Sequence, residues 1–240
     1  MLRALRQPKW LISALVVMAL AALFIRLGFW QLDRLEERRS LNVTAAERLG
    51  AEPVDLFALL AGSDPPAIEY RRVIVTGRFL PEEEVLIRSQ THLGTAGFHV
   101  ITPLLDGERA VLVNRGWVHL TMDQTPVGDA PPPDGDVRIE GWVHLTQTKP
   151  ALGPEDPPGE LSVFNRVDLE RIQDQVSVDL VPLYVVLTDE EAGELPVPVD
   201  LPELDDAGPH LGYAIQWFAF AVVGLVGFFF LMRREGHQSR

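Results

Sequence analysis

The chain has 240 residues, room for one or two domains, and carries a net charge of −13 with a sequence pI near 4.8. That acidity argues against nucleic acid as a partner. There is no cysteine, which excludes disulfides, thiolate metal sites and a thiol nucleophile, and removes the commonest soft ligands for copper or an iron–sulfur cluster.

Residues 1–9 form a basic tail with Arg3, Arg6 and Lys9. From Trp10 to Ile25 the run "WLISALVVMALAALFI" has no charge. No small-residue cleavage site follows it, so it reads as a first transmembrane helix over 10–29 and not as a signal peptide. Arg26 can snorkel and Trp30 can anchor the outer interface. Residues 30–49 are rich in helix formers and lack Gly and Pro, so the helix continues outward. A short helix is expected over 53–60.

The texture then changes to strands: 71–80, 84–90, 98–105, 109–120, 137–145, 161–167 and 181–188, separated by turn signals such as "LGTAG", "DGE" and "APPPDGD". Asp168 can cap a short helix through about Gln175. The proline-rich stretch 194–209 reads as an extended connector. Residues 211–232 are again uncharged, about 33 Å as a helix, which spans a bilayer. The second transmembrane helix is placed at 210–232, followed by a tail at 233–240 with Arg233 and Arg234.

The segment 26–210 holds 15 of the 21 Lys and Arg and 33 of the 34 acids, a net −18. By the positive-inside rule both tails face the cytoplasm and the acidic middle faces out. The expected fold class is therefore an α+β membrane protein. Two transmembrane helices, N- and C-terminal, flank a β-rich extracytoplasmic domain over 30–209, a small antiparallel sheet or barrel with a few helices.

Several motifs were weighed for chemistry. "GWVHLT" occurs twice, at 116–121 and 141–146. One reading pairs His119 with His144 on a metal such as copper. The other has Gly bending a strand, Trp filling a core and His at the rim, and it is preferred because no third ligand is spaced beside either copy. His92 and His99 are lone histidines in or beside a turn. His210 opens the second apolar run, with Tyr213 and Trp217 on the same helical stripe and Ala214 and Ala221 alongside. It is open either to iron ligation at the edge of a lipophilic macrocycle or to a plain interfacial helix start. Trp30 and Arg34 are i, i+4 neighbours able to stack as ring and cation. Arg115 and Trp117 in "NRGWV" suit either an acidic partner group or a structural pair. No nucleophile–base pair, acid–base dyad or phosphate loop is visible, so no enzyme is expected.

"LGFWQLDRLEERRSL" (27–41), "YRRVIVTGRFL" (70–80), "VLVNRGWV" (111–118) and "HLGYAIQWFAFA" (210–221), in that order between two apolar runs, resemble the surfeit locus protein 1 family. The resemblance implies a factor for biogenesis of haem–copper cytochrome c oxidase that presents haem a to subunit I. It implies His210 as haem ligand, with Tyr213 and Trp217 lining the ring. It also implies roles for Trp30 and for Arg115, Gly116 and Trp117. The sequence departs from the family at His119, where Pro is usual. The helices are expected to pack through Ala221, Gly224 and Gly227. The implied partners are oxidase subunit I, the haem a synthesis machinery and the lipid bilayer. The short N-terminal tail offers no convincing transit peptide, so a bacterial plasma membrane is expected in preference to a mitochondrial inner membrane. The rival readings are a cofactor-free extracytoplasmic interaction or sensor protein and a histidine-based copper-handling factor.

Overall fold

The computed structural model describes residues 8–147, 155–188, 195–202, 204 and 208–238. The basic residues Arg3 and Arg6, the turn ending at Pro150 and parts of the 194–209 connector lie outside the described residues. The chain divides into two compact units, a helical one drawn from 1–44 with 203–240 and a β-rich one over 45–202.

The helical unit is built on α1 (Pro8–Leu49) and α4 (His210–Gln238). Both are long and apolar enough to cross a membrane, and only 11% of each apolar window is buried inside the protein. Their contact seam is narrow. The buried positions of α1 include Ala21, Gly28 and Leu35, seven residues apart, and those of α4 Ala214 and Ala221, also seven apart. Ring contacts fix an antiparallel register: Trp10 with Phe228 at 6.3 Å, Phe24 with Trp217 at 5.6 Å, and Phe29 with Phe218 at 5.4 Å. Gly28 is the close-approach position, since a Cβ there would meet the Phe218 ring at 2.5 Å. Packing was expected through Ala221, Gly224 and Gly227; Ala221 is in the seam, but Gly224 and Gly227 are exposed with open space around them. Small residues on an outward-facing flank carry no packing, and the aromatic-rich register decides which flank faces inward.

The β-rich unit contains β1 (Val54–Asp55), α2 (Leu56–Leu60), β2 (Arg72–Phe79), β3 (Val85–His92), β4 (Thr95–Asp106), β5 (Arg109–His119), β6 (Asp136–Leu145), β7 (Val163–Phe164), α3 (Leu169–Gln173) and β8 (Asp179–Leu187). The sheet order is β1-β2-β6-β8-β5-β4-β3-β7, and a further β2–β4 pairing closes β2, β6, β8, β5 and β4 into a five-strand barrel. The barrel alternative is thus the one the chain adopts, and closure removes the sheet edges at those strands. Three pairings are parallel, β1–β2, β3–β7 and β5–β8. The segment expected as a strand over 161–167 pairs only through Val163 and Phe164.

Alternation sorts the side chains into two layers. Val111, Val113, Val143, Leu183 and Val185 point inward with Leu56 and Phe57 of α2 beneath them. Leu112, Trp142, Tyr184 and Val186 point outward and are covered by Phe164, Val167, Leu169 and Ile172. Phe164 is fully buried, and burying such a ring contributes about 1.5–3 kcal/mol, which explains why so short a strand holds its place. Asp55 and Asp168 cap α2 and α3, accepting from the amides of Ala58 and Arg171.

The strand β5 carries a bulge against β4: Val100 faces Gly116 while Ile101 faces Asn114, leaving Arg115 as the extra residue. Gly116 has φ +132° and lies under the connector, where Trp117 N–H donates to Val197 O at 2.7 Å and Val197 N–H donates back at 2.8 Å. A Cβ on residue 116 would sit 2.3 Å from that carbonyl oxygen. Gly116→Ala is expected to destabilise the domain by about 1–3 kcal/mol and to speed amide exchange at Trp117 and Val197. Unchanged exchange at both amides would count against this account.

Candidate functional site

The helical unit brings His210 onto α1. Its Nδ1 lies 2.7 Å from Oε1 of Gln31, a buried amide only 9% exposed. An amide oxygen only accepts, so Nδ1 carries the proton and donates. The lone pair is left on Nε2. A histidine oriented through one ring nitrogen and basic at the other has the arrangement of a metal-ligating imidazole with its supporting partner. Two turns further on, Trp217 stacks against Phe24 at an interplanar angle of 29°, and Phe220 closes the same aromatic group at 6.0 Å from Phe24. The sequence stripe is therefore split: His210 and Trp217 meet α1, whereas Tyr213 is 48% exposed.

Trp30 is also 48% exposed, with the Arg34 guanidinium 5.8 Å from its ring centroid, so the expected stack is present. Arg34 further pairs with Glu37 at 2.5 Å. Trp30 lines an open groove along α1 with Arg26, Phe29 and Asp33. Arg115 is a structural residue. Its guanidinium donates to Glu84 Oε2 at 3.0 Å and to Ala130 O at 2.7 Å inside the domain. Trp117 is buried beside His92, with ring centroids 5.4 Å apart.

The two "GWVHLT" copies do not meet as neighbours, because β8 lies between β5 and β6. His119 is exposed, with Nδ1 3.1 Å from Thr121 Oγ1. His144 stacks on Tyr184 at 5.1 Å with the rings nearly parallel. Among the described residues no group of three or more His, Asp or Glu is placed to hold a metal.

Burial pushes His99 down to about 4, and it lowers His144 as well, against an opposing pull from Glu69. A depressed histidine binds fewer protons folded than unfolded, so its contribution to stability is present above about 6.5 and is lost as pH falls toward about 4. Stability of the full chain is expected to drop by on the order of 2 kcal/mol across that window, and His99→Gln to flatten the slope. A slope unaltered by that substitution would remove His99 as its source.

Two residues escaped the sequence reading. Gln31 sits inside the quoted "LGFWQ" but drew no notice. A lone amide on the stripe between Gly28 and Leu35 is the signal that marks it. Glu84 ends the run "EEE", which reads as solvated charge although its last member is buried.

With that geometry in place, comparison with known proteins gives one consistent result. The sequence model described as the SURF1 family matches residues 18–222. An uncharacterised SURF1-like protein of Mycobacterium tuberculosis is 32% identical over 233 residues, covering 93% of this chain and 83% of its own. A SURF1-like protein of Monosiga brevicollis is 30% identical over 234 residues, covering 89% of this chain and 85% of its own. The yeast cytochrome oxidase assembly protein SHY1 is 31% identical over 105 residues, 43% of this chain and 27% of its own.

Proposed function

The chain belongs to the SURF1 family, and we propose that it is a membrane-anchored assembly factor for cytochrome oxidase that holds haem a for delivery to subunit I. The similarity to yeast SHY1 supports the assembly role. The single observation that carries the haem reading is the Gln31–His210 pair, which leaves Nε2 of His210 as a basic nitrogen beside an aromatic and lipid-facing surface. Those residues fit the group. His210 would supply a nitrogen ligand to the iron, Trp217 with Phe24 an apolar wall, and exposed Tyr213 and Trp30 the flanks. Haem contributes the metal centre that the oxidase later uses; this chain binds, orients and releases it, with no chemical turnover and hence no enzyme activity. A single protein ligand suits a carrier, because a second would slow release.

In this reading α1 and α4 cross a bacterial plasma membrane with both termini cytoplasmic. The acidic β domain stands outside and meets the oxidase and the haem a synthesis machinery. The test is an absorption spectrum of the detergent-purified chain co-expressed with haem a synthesis, for wild type and His210→Ala. A Soret band in the wild type that the variant lacks is the expected result. A band that survives moves the ligand elsewhere, and no band in either leaves a scaffold acting by contact alone.

A further inference from the structure

The β domain contains a half-open cavity of about 200 Å³ on the outer face of the barrel, bordered by Val199, Asp200 and Pro202 of the connector. Its polar lining includes His99, Asn114, Trp142, His144, Gln147 and Tyr184, with Gln90 and Asp200 also on its wall. The hydrogen bonds around it fix what each group offers. Asn114 Oδ1 accepts from Gly116 N–H at 3.1 Å, so its Nδ2 must donate to His99 Nδ1, at 3.1 Å. The proton of neutral His99 is therefore on Nε2. Gln147 Oε1 accepts from Val167 N–H at 3.3 Å, so its Nε2 donates to the Tyr184 oxygen, also at 3.3 Å. The hydroxyl proton of Tyr184 is then free to donate elsewhere, and burial raises the pKa of that hydroxyl, keeping it protonated. Trp142 is 4% exposed and its Nε1–H is buried without any hydrogen-bond partner among the described residues.

Three N–H or O–H groups thus border one cavity, and one of them, the Trp142 Nε1–H, is buried without an acceptor among the described residues. A buried donor left without an acceptor costs about 1–3 kcal/mol, so an oxygen placed against the Trp142 Nε1–H is favoured there. Among the described residues no Lys or Arg lines the cavity, and Asp200 stands on its wall with Glu69 3.5 Å from His144. That sign of charge disfavours an anion. A metal is disfavoured too, because His99 can offer a lone pair at Nε2 only by moving its proton to Nδ1, against the Asn114 N–H. The walls are planar rings: Trp142, Tyr184 and the stacked His144.

We propose that this cavity is a binding site for a small neutral planar molecule carrying carbonyl oxygens, a quinone-type ring, held by donation from His99, Trp142 and Tyr184. The site is separate from the helix pair and does not depend on the haem reading. The full chain in detergent, labelled with ¹⁵N-tryptophan, gives one indole signal for each of its five tryptophans, and Trp142→Phe assigns the relevant one. Titration with duroquinone is expected to move the Trp142 signal saturably. Tyr184→Phe keeps the ring but removes a donor, and is expected to weaken binding at least tenfold while the other four indole signals report an unchanged fold. The proposal is overturned if Trp142 does not move. It is equally overturned if all indoles drift together without saturation, as detergent partitioning would produce. A response of Trp142 to silver(I) or inorganic phosphate but not to duroquinone would make this a metal or anion site and reject the quinone-type ligand.

Discussion

Replacing Arg115 by Ala is expected to destabilise the β domain by about 3–5 kcal/mol, a large share of what holds a typical domain together. The side chain of Glu84 is fully buried and receives three donors: Thr102 Oγ1 at 2.6 Å, Val127 N–H at 2.8 Å and Arg115 at 3.0 Å. Burial pulls the Arg115 guanidinium below its usual range while Glu84 opposes the shift. Without Arg115 the carboxylate remains in the interior with its charge uncompensated, and Ala130 O loses its donor. The pair is thus a clamp: Val127 and Ala130, both held by it, sit in the same buried cluster as Leu86, Phe98 and Val118. Thermal unfolding should shift down by roughly 10 °C, since 1 kcal/mol moves a domain of this size by about 2–4 °C. The double variant Arg115→Met with Glu84→Gln removes both charges and keeps an acceptor for Val127 N–H. It should be more stable than Arg115→Ala, because replacing a buried pair outright avoids the unpaired ion. A single variant within 1 kcal/mol of wild type, or a double no better than the single, would refute the clamp.

The particular elements show what could be read ahead of the structure. Strands β2, β5, β6 and β8 fall within two residues of their expected limits, because β-branched runs bounded by Gly and Pro leave little choice. The apolar runs and the Asp168 cap were equally legible. Strand order was not. Parallel β5–β8 pairing joins residues about 70 positions apart, and local patterning carries no information on it. The role of Arg115 needed the position of Glu84, 31 residues earlier in the chain. Tyr213 illustrates a different limit: a helical stripe gives neighbours along one helix but not which of them the partner helix covers. His210 could be singled out by its place at the head of an apolar run, whereas its proton state required Gln31, 179 residues away.

If His210 ligates haem as proposed, Gln31→Leu is expected to weaken haem retention by about 10–100-fold without removing His210, the loss typical of a severed supporting hydrogen bond to a ligating histidine. Leu preserves the size and apolar fit of the seam between Gly28 and Leu35, so the helix pair should persist. What changes is the imidazole: with no acceptor at Nδ1 its ring is free to rotate and its proton free to move to Nε2, where a lone pair is needed. Gln31→Glu makes the opposite change. A carboxylate there accepts more strongly from Nδ1–H, makes Nε2 more basic and should hold haem at least as well as the wild type. The order Glu at or above Gln, both well above Leu, in Soret absorbance per protein after identical washing is the expected outcome. Equal retention in all three would mean that the 2.7 Å contact positions the two helices and does nothing for a ligand. Loss in both variants alike would point to a seam that tolerates only the neutral amide. Because oxidase assembly in cells would follow retention only if haem is the cargo, measuring oxidase activity in the same three strains separates a carrier from a scaffold. A scaffold would support assembly equally with Gln and Leu, since neither changes the exposed β surface.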